Sequence, residues 1–293
     1  MRRWVAYGLF PTVLSLAVLG GLALLRSGVP PALAVIVMIA ICVVPIALAQ
    51  RFMPYERSWA SEAKTYGLDM VHMLITGIAG ELSRAIVLGV LVWATFSAAD
   101  HVGLGWWPSS WPVLLQLPLA LIIGDFGAYW VHRSAHRVPL LWRVHAMHHS
   151  SEQLYVLSSG RNHPMNVVLT YTCQIGPLLV LGAGGEVLTL VALFTSMHGM
   201  LQHANIDLKH GVFNHIFATA DLHRWHHHTD ADTSNHNFGS NLVLFDQLFG
   251  TRYLPAGEEC REVGLPDLHL PHNVLHHLVS PFRLDYYYSN PPS

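Results

Sequence analysis

The chain has 293 residues, 52% of them apolar and only 12% charged, with a net charge of −2 and a mean hydropathy of +0.36. Soluble domains carry about 25% charged residues, so this composition excludes an ordinary soluble domain and a disordered chain, and the lack of a basic field excludes nucleic acid as a partner. Cys42, Cys173 and Cys260 are too scattered for a disulfide framework or a paired-thiolate metal site, whereas 21 histidines stand against 2 lysines and 14 arginines.

Apolar runs near the roughly 20 residues that a membrane helix requires begin at residues 5–25. Arg2 and Arg3 precede this run as in a signal peptide, but it is too long for one and a second run follows closely, so a retained helix is expected. Gly28-Val29-Pro30-Pro31 separates it from the second run, residues 32–49. The third lies within 71–96 and carries Glu81 and Arg84, spaced as an i,i+3 ion pair and left outside the candidate site. The fourth, within 113–131, ends in His132-Arg-Ser-Ala-His136, whose i,i+4 spacing puts both imidazoles on one helix face. His145-Ala-Met-His148-His149 follows. The fifth region, 167–197, is broken by Gly182-Ala183-Gly184-Gly185 and reads as a hairpin of two shorter helices, with His198 and His203 at its returning end. His223-Arg-Trp-His226-His227 repeats the earlier pattern; His228 points about 100° away from His227 on a helix.

Basic residues orient the segments. With Arg2 and Arg3 in the cytoplasm, Arg51, Arg57 and Lys64 return there, residues 98–112 lie outside with no Lys or Arg, and Arg133, Arg137 and Arg143 are inside again. The glycine turn of the hairpin lies outside, and Lys209 inside. All four histidine groups then emerge on the cytoplasmic face. The fold expected is an all-α integral membrane protein of about four transmembrane helices plus a hairpin, with a cytoplasmic helical cap and both termini in the cytoplasm.

Neutral imidazole suits Zn, Cu, Fe and Ni, and one zinc takes only about four ligands. His132, His136, His145, His148, His149, His198, His203, His223, His226 and His227 are too many for one ion and suit two. The boxes hold no Asp or Glu, unlike the Glu-x-x-His units of soluble di-iron bundles, and no His-Glu-x-x-His protease motif occurs. Ligating histidines need a partner on the second ring nitrogen; Asp125, Asn205, Asp221, Asn237 and Asp246 are the candidates. His72, His101, His210, His215, His236 and His269 read as surface or hydrogen-bonded residues, and His272, His276 and His277 as structural.

The ordered series Asp125…Tyr129-Trp130-x-His132-Arg133-x-x-His136, Leu141-Trp142-Arg143-x-His145-x-x-His148-His149-Ser150, Arg161-x-His163-Pro164, His203-Ala204-Asn205, His223-x-x-His226-His227 and Asn237-Phe238-Gly239, closing on Phe245-Asp246-Gln247-Leu248-Phe249-Gly250-Thr251, resembles the fatty acid hydroxylase and sterol desaturase superfamily, membrane-bound di-iron oxygenases. The resemblance covers roughly residues 124–255. It implies transmembrane helices over 1–110, a catalytic domain over 111–255 and a cytoplasmic tail over 256–293. It also implies two iron ions, replaceable by zinc, with O2 as co-substrate, and hydroxylation or desaturation of an unactivated C–H bond of a fatty acyl, sterol-like or other amphipathic membrane lipid. His163, in the Arg-x-His-Pro element, is a further candidate for metal or for the substrate path. No heme motif or nucleotide fingerprint occurs in the sequence, so two electrons are expected from a ferredoxin, cytochrome or reductase docking near Arg133, Arg137, Arg143 and Arg224. The implied location is a multi-pass protein of a bacterial inner membrane. A metal transporter or sensor would place its ligands mid-membrane rather than at segment ends; a non-catalytic scaffold would keep the fold without needing complete boxes.

Overall fold

Proline and glycine set where the helices start and stop. Proline occupies the first turn of α2 (Pro31–Phe52), α5 (Pro139–His149) and α6 (Pro164–Leu181), where its missing N–H would have no intrahelical partner and its φ is already helical. Gly182 ends α6 with φ +92°, a left-handed cap that side chains with a Cβ rarely adopt. This is the turn of the expected hairpin, and α7 (Gly185–His203) is its returning limb. The computed structural model describes residues 2–59, 63–97 and 105–289. His101 and part of the outer loop 98–112 lie outside the described residues.

The remaining long helices are α1 (Arg2–Arg26), α3 (Ala63–Ser97) and α4 (Val113–Ala135). Among the described residues, five helical stretches are long and apolar enough to cross a membrane: α1, α2, Thr65–Val90 of α3, α4 and α6. Among the described residues there are two isolated β-bridges and no strand. The chain is an all-α integral membrane protein.

Helices α1, α2 and α7 form one wall and α3, α4 and α6 the other, with α4 meeting α7 between them. Gly127 permits the close crossing of α4 on α6: a Cβ there would lie 2.0 Å from the Cys173 carbonyl oxygen. At one end of the bundle, Lys209 N donates to Ala6 O at 2.8 Å and Asp207 N to Met53 O at 3.0 Å, so the start of α1, the end of α2 and the segment after α7 meet. At the other end, Trp107 N donates to Leu181 O at 3.0 Å and Arg26 pairs with Glu186 at 3.5 Å. Glu81 and Arg84 form the expected ion pair, 2.7 Å, on an exposed face of α3.

The cap sits on the first of these ends. It comprises α5, two 3-10 turns at Val156–Gly160 and Gly211–His215, α8 (Ala220–His226), α9 (Ala231–Ser234), α10 (Leu244–Leu248) and α11 (Val274–Ser289). From Val113 to His132, α4 rises about 28 Å, so its histidines reach the far side of a hydrocarbon core about 30 Å thick.

Candidate metal centre

The paired histidines solve a geometric problem. Adjacent residues on a helix point about 100° apart, so a His-His doublet sends its rings in two directions. Two groups of side chains result, each with ligand atoms all within 4.8 Å of one another. One gathers His132, His136, His145, His149 and His226; the other gathers His148, His203, His223 and His227. Both doublets are split, His149 and His226 serving one group and His148 and His227 the other. The groups adjoin: the His149 and His227 rings stack with centroids 4.4 Å apart.

Within each group the imidazole nitrogens converge. His149 Nε2 lies 3.1 Å from both His136 Nε2 and His145 Nε2. His223 Nε2 lies 2.9 Å from His203 Nε2 and 3.1 Å from His227 Nε2. Ligand nitrogens about 2.0–2.1 Å from an ion stand about 2.9 Å apart at right angles and about 3.4 Å apart in a tetrahedron. Rings meeting nitrogen to nitrogen in this way need a shared proton or a shared cation between them.

Two rings of the first group have their tautomers fixed by outward hydrogen bonds. His132 Nδ1 donates to the Phe238 carbonyl at 2.9 Å, and His226 Nδ1 to the His236 carbonyl at 2.8 Å. A carbonyl only accepts, so each Nδ1 holds the proton and each Nε2 is a bare lone pair. Neither His132 Nε2 nor His226 Nε2 has a hydrogen-bond partner, although both atoms are buried. In the second group, His148 Nδ1 faces the Arg161 carbonyl at 3.3 Å, and His203 Nδ1 faces Ser158 Oγ at 3.2 Å while that hydroxyl donates to Tyr155 O. Unpaired lone pairs aimed at a common point, with no carboxylate among nine donors, fit a pair of borderline metal ions.

Burial keeps the donors neutral. It pushes the imidazoles of His136, His145, His149, His223, His226 and His227 well below their usual range, with neighbouring imidazoles adding to the effect. His148 is brought down to about 3 by the same burial. Only His132 and His136 are half-buried, so the five-histidine group faces the opening while the other group is enclosed. Trp142 lies beside this opening, 5.3 Å from the His136 ring and 5.6 Å from that of His149.

Two of the expected candidates stand apart. His198 lies outside both groups, against Phe10, Phe194 and Phe217. His163 caps α6, its Nδ1 accepting from Met165 N at 3.2 Å and its Nε2 donating to Leu278 O at 3.0 Å, so both nitrogens are used. The anticipated orienting side chains also point elsewhere. Asp125 accepts from Asn241 N, Asn241 Nδ2 and Leu242 N at 2.6–2.9 Å. Asn205 ties Glu56 to the end of α7, Asp221 pairs with His210 and Arg224, and Asn237 bridges Leu222 and Tyr253. Backbone carbonyls orient His132, His226 and His148 instead, and these leave no trace in side-chain identity. Arg224 is buried against the Tyr55 ring, 3.7 Å from its centroid, so it does not offer the expected docking charge.

Two supports work through the backbone: Asp246, expected instead beside a ring nitrogen, and Asp69, missed in the sequence. Asp246 accepts from Phe238 N and Gly239 N, each at 2.8 Å, and thereby fixes the loop whose carbonyl holds His132. Arg161 is held by a buried pair with Asp69, at 2.7 and 2.9 Å, and Tyr155 donates to the same carboxylate. An aspartate early in an apolar helix was the legible signal for the second support.

The fatty acid hydroxylase family model matches residues 117–251. The chain is 36% identical over 225 residues to the ornithine lipid hydroxylase OlsE of Rhizobium tropici, an alignment covering 75% of this chain and 67% of that protein. It is 32% identical over 127 residues to human alkylglycerol monooxygenase, covering 43% of this chain and 28% of that one. It is 30% identical over 147 residues to methylsterol monooxygenase 2-2 of Arabidopsis thaliana, covering 49% and 54%. No solved structure matches.

Proposed function

The chain belongs to the fatty acid hydroxylase and sterol desaturase superfamily, and from that premise we propose that it is a membrane-bound di-iron oxygenase acting on an unactivated C–H bond of a membrane lipid. Hydroxylation is favoured over desaturation, because the relatives are named for hydroxylation and monooxygenation. O2 is the co-substrate and an external ferredoxin, cytochrome or reductase supplies two electrons. The observation that carries this reading is the pair of adjoining, carboxylate-free histidine groups with bare lone pairs at the end of membrane helices.

Such a C–H bond has no acidic proton and no electrophilic carbon, so side-chain acid–base chemistry has no purchase on it and a redox-active group must act. Bound in the two groups, iron would supply O2 activation and hydrogen abstraction. The chain's own residues hold and orient. Phe238 O and His236 O fix the tautomers of His132 and His226, and Arg161 O and Ser158 Oγ act on His148 and His203. The Phe238 ring lies 5.3–5.7 Å from those of His132, His136 and His226 and shields them from water. The opening at His132 and His136 is where the lipid presents its reacting carbon. Burying its chain contributes roughly 0.8 kcal/mol per CH2, which gives affinity and register together.

The basic loops support a cytoplasmic position for this end of the bundle. An ornithine-containing lipid is the first substrate to test. Comparative lipid mass spectrometry of cells expressing the wild-type chain, His148→Ala or neither is expected to show a lipid heavier by one oxygen only with the wild type, together with two metal ions per purified wild-type chain. Unchanged lipids with a full complement of metal would overturn the assignment.

A further inference from the structure

Helix α11 presents apolar side chains on both sides. Its inner face buries His277, Ser280, Pro281, Leu284 and Tyr287, against α3 and the ligand-bearing α5. Its outer face exposes Leu275 at 70%, Val279 at 39% and Phe282 at 74%. These three, spaced four and three residues apart, share one face. They precede the kink at Arg283, so the helical register holds through all of them. A row of large exposed apolar groups marks a surface that is covered in the working protein.

Depth identifies the cover. The 18 residues of α6 extend about 27 Å, close to the roughly 30 Å of a hydrocarbon core, so the start of α6 stands near the bilayer boundary. His163 caps that start and donates to Leu278 O at 3.0 Å, which puts α11 at the same level. Independently, the His277 ring stacks on His72 at 5.0 Å and its Nδ1 meets His72 Nε2 at 3.0 Å. His72 lies inside the apolar stretch Thr65–Val90 of α3. Two and six residues further along, on the side of α3 away from His72, Leu74 is exposed at 63% and Ile78 at 71%, side chains that face lipid in any transmembrane reading. The outer face of α11 therefore stands at the height where acyl chains meet headgroups, beside a helix whose far side faces lipid. Arg283 and Asp285, exposed just beyond this face, suit the polar side of that boundary.

We infer that α11 is an interfacial membrane helix, with Leu275, Val279 and Phe282 inserted among the acyl chains at the headgroup boundary, rather than part of a cytoplasmic tail. The inner face of the same helix is fixed to α5: Arg143 pairs with Asp285 and donates to Pro281 O at 3.3 Å, and Ala146 packs with Leu284 and Tyr287. The bilayer surface thus bears on the helix that supplies His145, His148 and His149.

The test places a nitroxide on Leu275→Cys, Phe282→Cys and, as a control on an exposed polar loop, Asp267→Cys. The full chain is reconstituted alone in phosphatidylethanolamine and phosphatidylglycerol vesicles, and labelled wild-type chain gives the background from its own cysteines. Power-saturation measurements are expected to show several-fold greater collision with O2 than with a water-soluble nickel chelate at 275 and 282, and the reverse at 267. Greater chelate exposure at 282 would overturn the inference by placing the face in water. Low exposure to both, with spin–spin broadening relieved by dilution into unlabelled chain, would overturn it in favour of a second copy.

Discussion

Asp246→Asn tests whether a backbone carbonyl governs one half of the metal centre. The Asp246 carboxylate is fully buried; one oxygen accepts from Phe238 N at 2.8 Å and Thr251 Oγ1 at 2.7 Å, the other from Gly239 N at 2.8 Å. An amide has one oxygen to offer, so in either orientation its NH2 faces a donor. Orphaning a buried donor costs about 1–3 kcal/mol, and the surviving bonds lose their charge assistance, so a total near 3 kcal/mol is expected. That is a sizeable part of a stability of about 5–15 kcal/mol, but it should leave a folded protein. The specific effect lies in the metal: Phe238 O moves relative to His132 Nδ1, and loss of such an outer partner lowers metal affinity by about 10–100-fold. The comparison is Asp125→Asn, where the aspartate also accepts three hydrogen bonds, but from Asn241 and Leu242, which hold no ligand. Elemental analysis across a chelator series is expected to show Asp246→Asn losing one ion of two at a lower chelator concentration than wild type, while Asp125→Asn melts earlier with both ions retained. Equal chelator resistance in Asp246→Asn and wild type, or loss of both ions together in the two variants, would refute the reasoning.

Acid should destabilise the metal-free chain. The unfolded histidines titrate near 6.5, while burial holds His148 at about 3 and six others well below the usual range. The unfolded state therefore binds more protons as pH falls through about 6.5, and stability drops by up to about 1.4 kcal/mol per histidine per pH unit; a melting temperature constant from pH 7.5 to 5.5 would contradict this. His198→Leu should keep both ions, since His198 belongs to neither group; loss of an ion, read by elemental analysis, would restore it as a ligand. His163→Ala should cost about 1 kcal/mol through the lost α6 cap and also keep both ions, read by thermal melting and metal content together. Gly127→Ala would put a Cβ 2.0 Å from Cys173 O and should lower the melting temperature by separating α4 from α6, whereas Gly184→Ala, with nothing within 4 Å, should not.

The helices, their hairpin and the gathering of most of the candidate histidines were legible because they rest on a periodic signal; nine of the ten fall into the two groups. His132 and His136, His145 and His149, and His223 and His227 are four apart, about 40° around a helix, so they must share a face. His198 and His203 are five apart, about 140° around the same helix, so one helix face could not have presented both; the structure selects His203. His163 stands immediately before Pro164, the position of an N-cap, and it is spent there. The orienting partners were illegible for another reason. Those of His132, His226 and His148 are carbonyls of Phe238, His236 and Arg161, the first and last held by Asp246 and Asp69 across the fold, and a carbonyl belongs to every residue alike.

The doublets explain why so few helices can hold two ions. A ring set every four residues serves one ion only; an adjacent ring about 100° away serves a second without another helix. Because His148 and His149 share one backbone, as do His226 and His227, their rings stand 5.5 and 5.4 Å apart at the centroids, and the two groups are bound to be neighbours. Proximity of the groups is thus a covalent property of the boxes, independent of how the cap moves. What tertiary structure adds is asymmetry. His132 and His136 come from the end of α4 and open one group, while His203 comes from the buried end of α7 and closes the other. The five-histidine group is therefore the more accessible of the two. Enlarging the opening through Trp142→Ala, which removes a ring beside His136 and His149, should broaden the lipids accepted before it alters metal content. Lipid product profiles and elemental analysis of the one variant would separate these effects, and an unchanged profile with lost metal would place the opening elsewhere.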